Sequence, residues 1–300
     1  MSRLSLLERI FKKLSFVISK NKRQALSQKN LQLMQQSGYD LLIQLSQALA
    51  TVSNQNFTPE SIAIFNKIEA LRQTLNHSNE LVTIIDYGAG SPEDNRSLEE
   101  TEKGIVSKLT VQEMCKSSSS PKVYAQLLFQ IVHDMKLQKG LELGTCLAIS
   151  TAYQSSAMQL NGKGHFITCE GVPDLASISQ NNLKALGIEN CKVVLGRFSE
   201  TLPKLLKEEQ AFDFAFIDGH HDEKATVAYF EQIKPYLDTV AVLIFDDIRW
   251  SKGMKLAWDK IREDAQVNVS VDMLKHGIVI LDKRVGKLSK NQQHYEFFLE

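Results

Sequence analysis

From Lys122 onward short apolar runs alternate with helix-length segments, and this alternation restricts the fold more than any other feature of the chain. The runs are GLEL (Gly140 to Leu143), HFITC (His165 to Cys169), CKVVL (Cys191 to Leu195), FDFAFI (Phe212 to Ile217) and VAVLIF (Val240 to Phe245). Strands separated by helices are joined by right-handed crossovers, which line them up in parallel and cover both faces of the sheet. Two further runs, VNVSVDM and GIVILDK, have no helix between them and predict a hairpin that adds an antiparallel strand. The expectation is an α/β chain with a seven-stranded, mostly parallel sheet and a C-terminal antiparallel strand.

Ahead of this region the pattern is helical. LLIQLSQALATV and SIAIFNKIEALRQTL carry apolar residues at helical spacing, and helix is expected up to about Asn79. The first 24 residues place Leu4, Leu7, Ile10, Phe11, Leu14 and Val17 among Arg3, Arg9, Lys12, Lys13, Lys20, Lys22 and Arg23. Such a basic amphipathic helix either packs on this protein or a partner, or lies on an anionic membrane surface. Between Ser91 and Pro121 the chain turns polar and ends in CKSSSSPK, read as a flexible link. The expected division is a helical extension over 1–120, with a lid loop within 84–120, and a catalytic domain over 121–300.

Charge argues against one class of partner. Thirty-five Lys and Arg balance 35 Asp and Glu, so no net field draws the chain to nucleic acid. The four cysteines form no C-x-x-C pair, which argues against a zinc site or a disulfide framework and favours a reducing cytoplasm. No apolar run approaches the roughly 20 residues that span a bilayer.

Two glycine loops compete for a ligand, IIDYGAGSPEDNR (Ile84 to Arg96) and GLELGTCLAISTAYQ (Gly140 to Gln154). A ligand loop in such a sheet leaves the carboxyl end of one strand, and an acid ending the next strand holds a ribose. The second loop meets both conditions, with Glu142 and Gly144 at a strand end and Glu170 ending HFITCE 28 residues later. Nothing after the first loop reads as a strand. It is therefore either a turn closing the helical region or a lid, with Asp86 or Arg96 touching the ligand. The chosen loop lacks G-K-[ST] and has Cys146 where a dinucleotide fingerprint has its second glycine, so neither a P-loop nor a nicotinamide site is expected. An acid beside open backbone N–H groups suits a ligand that carries both an ammonium and a carboxylate.

Taken in order, LELGTCLAIST, ITCEG, VVLGRFSETLP, FDFAFIDGHH and VLIFDDIRWSKGM resemble the class I S-adenosylmethionine-dependent methyltransferases, with their Rossmann-like sheet. Within them the chain looks most like the cation-dependent O-methyltransferases of the catechol and caffeoyl-CoA type, over roughly Lys122 to Lys283. The resemblance implies that Glu142, Gly144, Thr145 and Ser150 contact the methionine part of S-adenosylmethionine. It implies further that Glu170, followed by Gly171, takes the ribose, and that Arg197, Phe198 and Ser199 border the adenine. Asp218, at the cofactor's edge, and the pair Asp246 and Asp247 match the positions that bind Mg²⁺. Strand ends lying side by side bring such carboxylates to one point, where a hard divalent cation could activate a substrate hydroxyl.

Two positions depart from the family. Ala148 stands where relatives usually carry Gly, so that a methyl crowds the methionine end or the loop opens slightly. His221 stands where they carry a general-base Lys, three residues after Asp218. Histidine is a competent base near neutral pH; the alternatives are that His220 and His221 are exposed loop residues or extra metal ligands. Trp250 is read as core packing rather than a substrate wall, and Cys146 and Cys169 as apolar filler.

The function expected is methyl transfer to an oxygen of a small hydroxylated acceptor, assisted by Mg²⁺ or a similar cation, with Asp218 and His221 at the reacting centre. The rivals are a metal-independent methyltransferase of natural-product or glycan tailoring, and a non-catalytic binding module that keeps the fold. The partners expected are the small-molecule acceptor, a second copy of the chain, and a membrane or protein contact through residues 1–24.

Overall fold

The computed structural model describes residues 6–87, 103–286, 288 and 293–299, with side chains from residue 20 onward. Three helices open it: α1 (Leu6–Gln35), α2 (Asp40–Ser53) and α3 (Pro59–Leu75). The Thr58 side chain accepts from Ser61 N and Pro59 occupies the first turn, the residue types that suit a helix start. The apolar face expected from Leu4 to Val17 lies outside the described side chains.

After α3 comes a strand, not a turn. β1 (Leu81–Asp86) pairs antiparallel with β2 (Ile105–Thr110), Leu81 opposite Thr110 and Asp86 opposite Ile105. An antiparallel partner needs no crossover, so IVSKLT serves despite its weak apolar pattern. CKSSSS is likewise no link: its first part closes α4 (Val111–Ser118). That helix is started by a capping box, in which the Thr110 hydroxyl accepts from Glu113 N and the Glu113 carboxylate accepts from Thr110 N.

The remaining elements alternate as expected: α5 (Lys122–Asp134), β3 (Lys139–Leu143), α6 (Ile149–Leu160), β4 (His165–Glu170), α7 (Pro173–Ala185), β5 (Cys191–Leu195), α8 (Phe198–Glu209), β6 (Phe212–Ile217), α9 (Glu223–Ile233), β7 (Leu237–Phe245) and α10 (Lys252–Arg262). The hairpin β8 (Val269–Asp272) and β9 (Gly277–Asp282) follows, then β10 (His294–Glu296). Strand order is β10-β8-β9-β7-β6-β3-β4-β5, parallel from β7 through β5, with β9 antiparallel to both β7 and β8. The sheet thus keeps the Rossmann-like arrangement and has one strand beyond the seven expected. β10, only three residues long and parallel to β8, carries too little apolar pattern to be read from sequence.

The core lies on both faces of the sheet. On one, Phe166, Phe214 and Ile244 pack beneath α5 and α6; on the other, Ile217, Leu243 and Phe245 meet α8, α9 and α10. α2 and α3 add a layer over α5 and α6, where Phe65 meets Phe129 edge-on at 4.8 Å between centroids and Tyr153 Oη donates to Glu69 at 3.0 Å. Each fully buried Leu, Ile, Val or Phe contributes about 1.5–3 kcal/mol, so the N-terminal helices share the core of the sheet.

Candidate active site

Strand order reverses between β3 and β6. From β3 the chain moves outward through β4 and β5, then returns to the other side of β3 for β6 and β7. At such a switch point the loops leaving the carboxyl ends diverge and open a crevice. Register sets the ends level: Leu143 lies beside both Ile217 and Cys169, and Ile217 beside Phe245. Asp218 N donates to Leu143 O and Asp246 N to Ile217 O, both at 2.9 Å, so Gly144, Asp218 and Asp246, which follow their strands, and Glu170, which ends its own, come to one edge.

A cavity of about 900 Å³ opens there. Among the sequence-selected residues it is lined by Gly144, Glu170, Gly171, Arg197, Phe198, Ser199, Asp218, His221, Asp246 and Asp247. Backbone strain concentrates at this edge, with His220 (φ 66), His221 (φ 45) and Asp247 (φ 49) left-handed; outliers of this kind gather at functional sites. Gly144 also has positive φ (110), and a Cβ on it would lie 2.0 Å from the Asp218 carbonyl oxygen.

Glu142, Thr145 and Ser150 do not line the cavity. Glu142 is wholly buried beneath it: Oε1 accepts from Ser150 Oγ and Gln154 Nε2, both at 2.8 Å, and Oε2 from Thr151 and Thr168, the latter at 2.7 Å. Thr145 joins the same network through Thr168, at 2.6 Å. Burial raises the Glu142 carboxyl while its four donors pull it down. These residues therefore brace the loop from below. Ala148 (φ 62) is also fully buried and does not line the cavity, so its methyl does not crowd the site.

Glu170 faces the cavity while accepting from Cys146 N and Val172 N, both at 2.8 Å. Burial pushes its carboxyl up to about 7 against those backbone donors. Cys146 lines the cavity with its thiol held protonated by burial, and burial pushes Cys169 up to about 12, so neither is a nucleophile.

The described start of the first glycine loop reaches the same cavity. Ile84, Ile85, Asp86 and Tyr87 line it, and β1 is tied down where Asp174 at the start of α7 accepts from Thr83 N at 2.8 Å. The Arg197 guanidinium lies 4.6 Å from the centre of the Tyr87 ring, and a Cβ on Gly171 would touch that ring at 3.6 Å. Arg96, the other residue proposed for the lid, lies outside the described residues. Lys116, Ser117, Ser118, Ser119 and Ser120 complete that wall, whereas none of the described residues of α1 to α3 lines the cavity. Sequence reading missed Tyr87 and the serines. The Thr110–Glu113 capping box was the available signal that helix, not link, precedes them.

Beyond Asp218 the site departs most from expectation. Lys275, in the turn between β8 and β9, sets Nζ 3.0 Å from Asp246 Oδ2 and 2.6 Å from Asp247 Oδ1. His276, wholly buried, brings Nε2 within 2.9 Å of Asp246 Oδ1, without hydrogen-bond alignment, and its ring meets Tyr124 edge-on. Burial works to raise Asp246, but His276 and Lys275 outweigh it and hold the carboxyl well below its usual range. Asp218 moves the other way: burial and the adjacent Asp246 charge raise it well above that range.

Asp218, Asp246 and Asp247 are thus brought together, but the set does not fit a hard divalent cation. Such an ion needs about six oxygen ligands at 2.0–2.6 Å, whereas both Asp246 oxygens and one of Asp247 already face Lys275 or His276. Among the described residues no group of three or more His, Cys, Asp or Glu side chains is arranged to hold a metal.

His221 Nε2 lies 3.6 Å from Asp218 Oδ1, and its side chain is 29% exposed. His220 is instead occupied, Nδ1 meeting Tyr229 Oη at 2.7 Å, and burial lowers its pKa. Trp250, expected in the core, is 45% exposed and lines the cavity mouth; the buried tryptophan is Trp258, whose Nε1 donates to Asp272 at 3.2 Å.

A family profile described as a methyltransferase domain matches residues 141–248, which run from β3 to just past Asp247. Over that stretch the chain is similar to a methyltransferase domain. Its matched segment contains the strand ends that build the cavity, whereas Lys275 and the Tyr87 arm lie outside it. The chain is similar to solved structures, these three among them. The O-methyltransferase from Bacillus cereus in complex with SAH is 21% identical, with 56% of this chain and 84% of that one covered and a TM-score of 0.49. The tomaymycin-synthesis O-methyltransferase TomG from Streptomyces achromogenes, in complex with SAM, is 17% identical (55% and 82% covered, TM-score 0.48). The SAH-bound methyltransferase PaMTH1 from Podospora anserina is 18% identical (55% and 80%, TM-score 0.47). No curated protein matches the sequence.

Proposed function

We propose that the chain is an S-adenosylmethionine-dependent methyltransferase acting on an oxygen of a small hydroxylated acceptor. The observation that carries this reading is Glu170, a carboxylate ending the second strand of the sheet and facing the cavity beside the Gly144 turn of a methyltransferase domain. A carboxylate there suits the two ribose hydroxyls. Gly144, which lines the cavity, lets β3 and the Asp218 backbone approach more closely than any side chain would allow and so shapes the floor on which the methionine end would lie. Tyr87, Arg197 and Phe198 offer stacking surfaces for a purine.

When bound, S-adenosylmethionine supplies an electrophilic methyl on a sulfonium. His221 is the base: its partly exposed imidazole takes the proton of the acceptor hydroxyl as oxygen attacks and the carbon–sulfur bond breaks. Asp218, 3.6 Å away, steadies the imidazolium. Trp250 at the mouth and the Ser117 to Ser120 wall form the acceptor's side. With Ala148 clear of the cavity, one ground for a non-catalytic module disappears.

Calorimetric titration with S-adenosylmethionine tests the reading. Micromolar binding is expected, falling at least tenfold in Glu170→Ala; equal affinity in the variant removes the ribose assignment, and no binding by the unaltered protein removes the function. Affinity depends on pH with a definite sign. Below about 7 the free Glu170 is protonated and cannot accept from both hydroxyls, so binding must release its proton. Affinity is therefore full above neutral pH and roughly tenfold weaker at pH 6 than at pH 8. A pH-independent Kd contradicts it.

For the base, His221→Ala is expected to lower kcat about 10²-fold or more while the Kd for S-adenosylmethionine stays unchanged. An unchanged kcat moves the role elsewhere.

A further inference from the structure

Three carboxylates on adjacent strand ends repel one another and need a compensating positive charge. The chain supplies one itself. Lys275 Nζ bridges Asp246 and Asp247 at 3.0 and 2.6 Å, close enough for charge-assisted hydrogen bonds to both. The ammonium is held in place by its backbone: Lys275 N donates to Met273 O, Met273 N to His276 O, and Ile248 N to Lys275 O, at 2.8, 2.8 and 3.0 Å. These bonds close the turn and tie it to the loop that follows Asp247. Lys275 also lines the cavity, with 26% of its side chain exposed. An ammonium has three N–H donors; two are used on the aspartates, and one remains for a ligand.

We propose that Lys275 is the resident cation of this methyltransferase site, holding the place where the cation-dependent relatives carry a metal and donating its third N–H to the acceptor oxygen. The assignment rests on the function proposed above and makes the transfer independent of divalent ions. Fixed to the protein, the ammonium binds the acceptor hydroxyl in line for attack and stabilises the negative charge that grows on oxygen as the proton leaves for His221. The two aspartates hold the ammonium in position and remain bound to it throughout. A neutral hydroxyl or a phenol fits such a donor. A catechol, which gains from chelating a metal through two oxygens, has no special advantage.

Mn²⁺ binding followed by electron paramagnetic resonance tests this without any acceptor. The unaltered protein is expected to leave Mn²⁺ free up to millimolar concentration. Lys275→Met, which keeps the length of the chain and removes the charge, is expected to bind Mn²⁺ at submillimolar concentration. Adding Asp247→Asn to that variant should abolish the binding. Thermal unfolding and S-adenosylmethionine titration of Lys275→Met establish that it is folded; should it not fold, Lys275→Gln takes its place. Mn²⁺ bound by the unaltered protein and lost in Asp246→Asn overturns the proposal, as does a folded Lys275 variant that binds no Mn²⁺. Once an acceptor is found, turnover should be indifferent to chelator and fall about 10²–10³-fold in Lys275→Met, in the range of losing an oxyanion donor. If S-adenosylmethionine fails to bind while the Mn²⁺ pattern holds, the methyltransferase reading fails and the lysine-for-metal assignment survives.

Discussion

Gly144→Ala is expected to abolish S-adenosylmethionine binding and to destabilise the fold by about 3 kcal/mol or more. The new Cβ would sit 2.0 Å from the Asp218 carbonyl oxygen, against backbone that has no rotamer to escape into. Relief requires β3 and β6 to part at their carboxyl ends, which breaks the bond from Asp218 N to Leu143 O and shifts the left-handed residues that follow. A φ of 110 adds strain of its own, since a side chain there costs about 1–3 kcal/mol. Overpacking adds a similar amount. Both losses come from one cause, so urea unfolding and calorimetric titration should move together. A stable Gly144→Ala variant with unaltered affinity would show that the strand ends separate freely and that the crevice is not shaped by this turn.

Glu142→Ala is expected to behave differently, losing about 3–5 kcal/mol of stability while the protein that remains folded keeps its affinity within about threefold. The substitution removes a wholly buried side chain and leaves Ser150, Thr151, Gln154 and Thr168 without their shared acceptor. An unsatisfied buried donor costs about 1–3 kcal/mol, and the void adds to it. The opposite result, an unchanged unfolding midpoint with a hundredfold loss of affinity, would restore Glu142 as a direct ligand contact. The two variants together separate shaping the crevice from bracing its floor.

The contrast between Glu142 and Glu170 marks where reading the sequence reaches its limit. Both are acids in apolar runs beside glycine, and the family pattern treats both as ligand contacts. Glu170 is the last residue of its strand, where the chain opens onto the crevice, whereas Glu142 precedes the end of its own and is enclosed by α6. A strand's side chains alternate between faces, and only the packed helices decide which face is wet.

The strand–helix alternation and the strand-end positions of Glu170, Asp218 and Asp246 could be read from sequence. They depend on apolar runs and spacings within a few dozen residues, and local pattern dictates local structure. The C-terminal hairpin was legible for the same reason. The arm that brings Tyr87 to Arg197 was not, because β1 and β2 pair across a long insertion and neither strand has a strong pattern of its own. Nor was the charge that answers the aspartates. Lys275 lies 29 residues from Asp246, in a turn whose sequence gives no sign of a destination, and an ion pair has no periodicity. The sequence by itself determined the sheet and the edge on which chemistry takes place. Only the tertiary structure decided that a lysine stands where a metal was expected, because the antiparallel return of β9 along β7 carries that turn onto the carboxyl ends of the parallel strands.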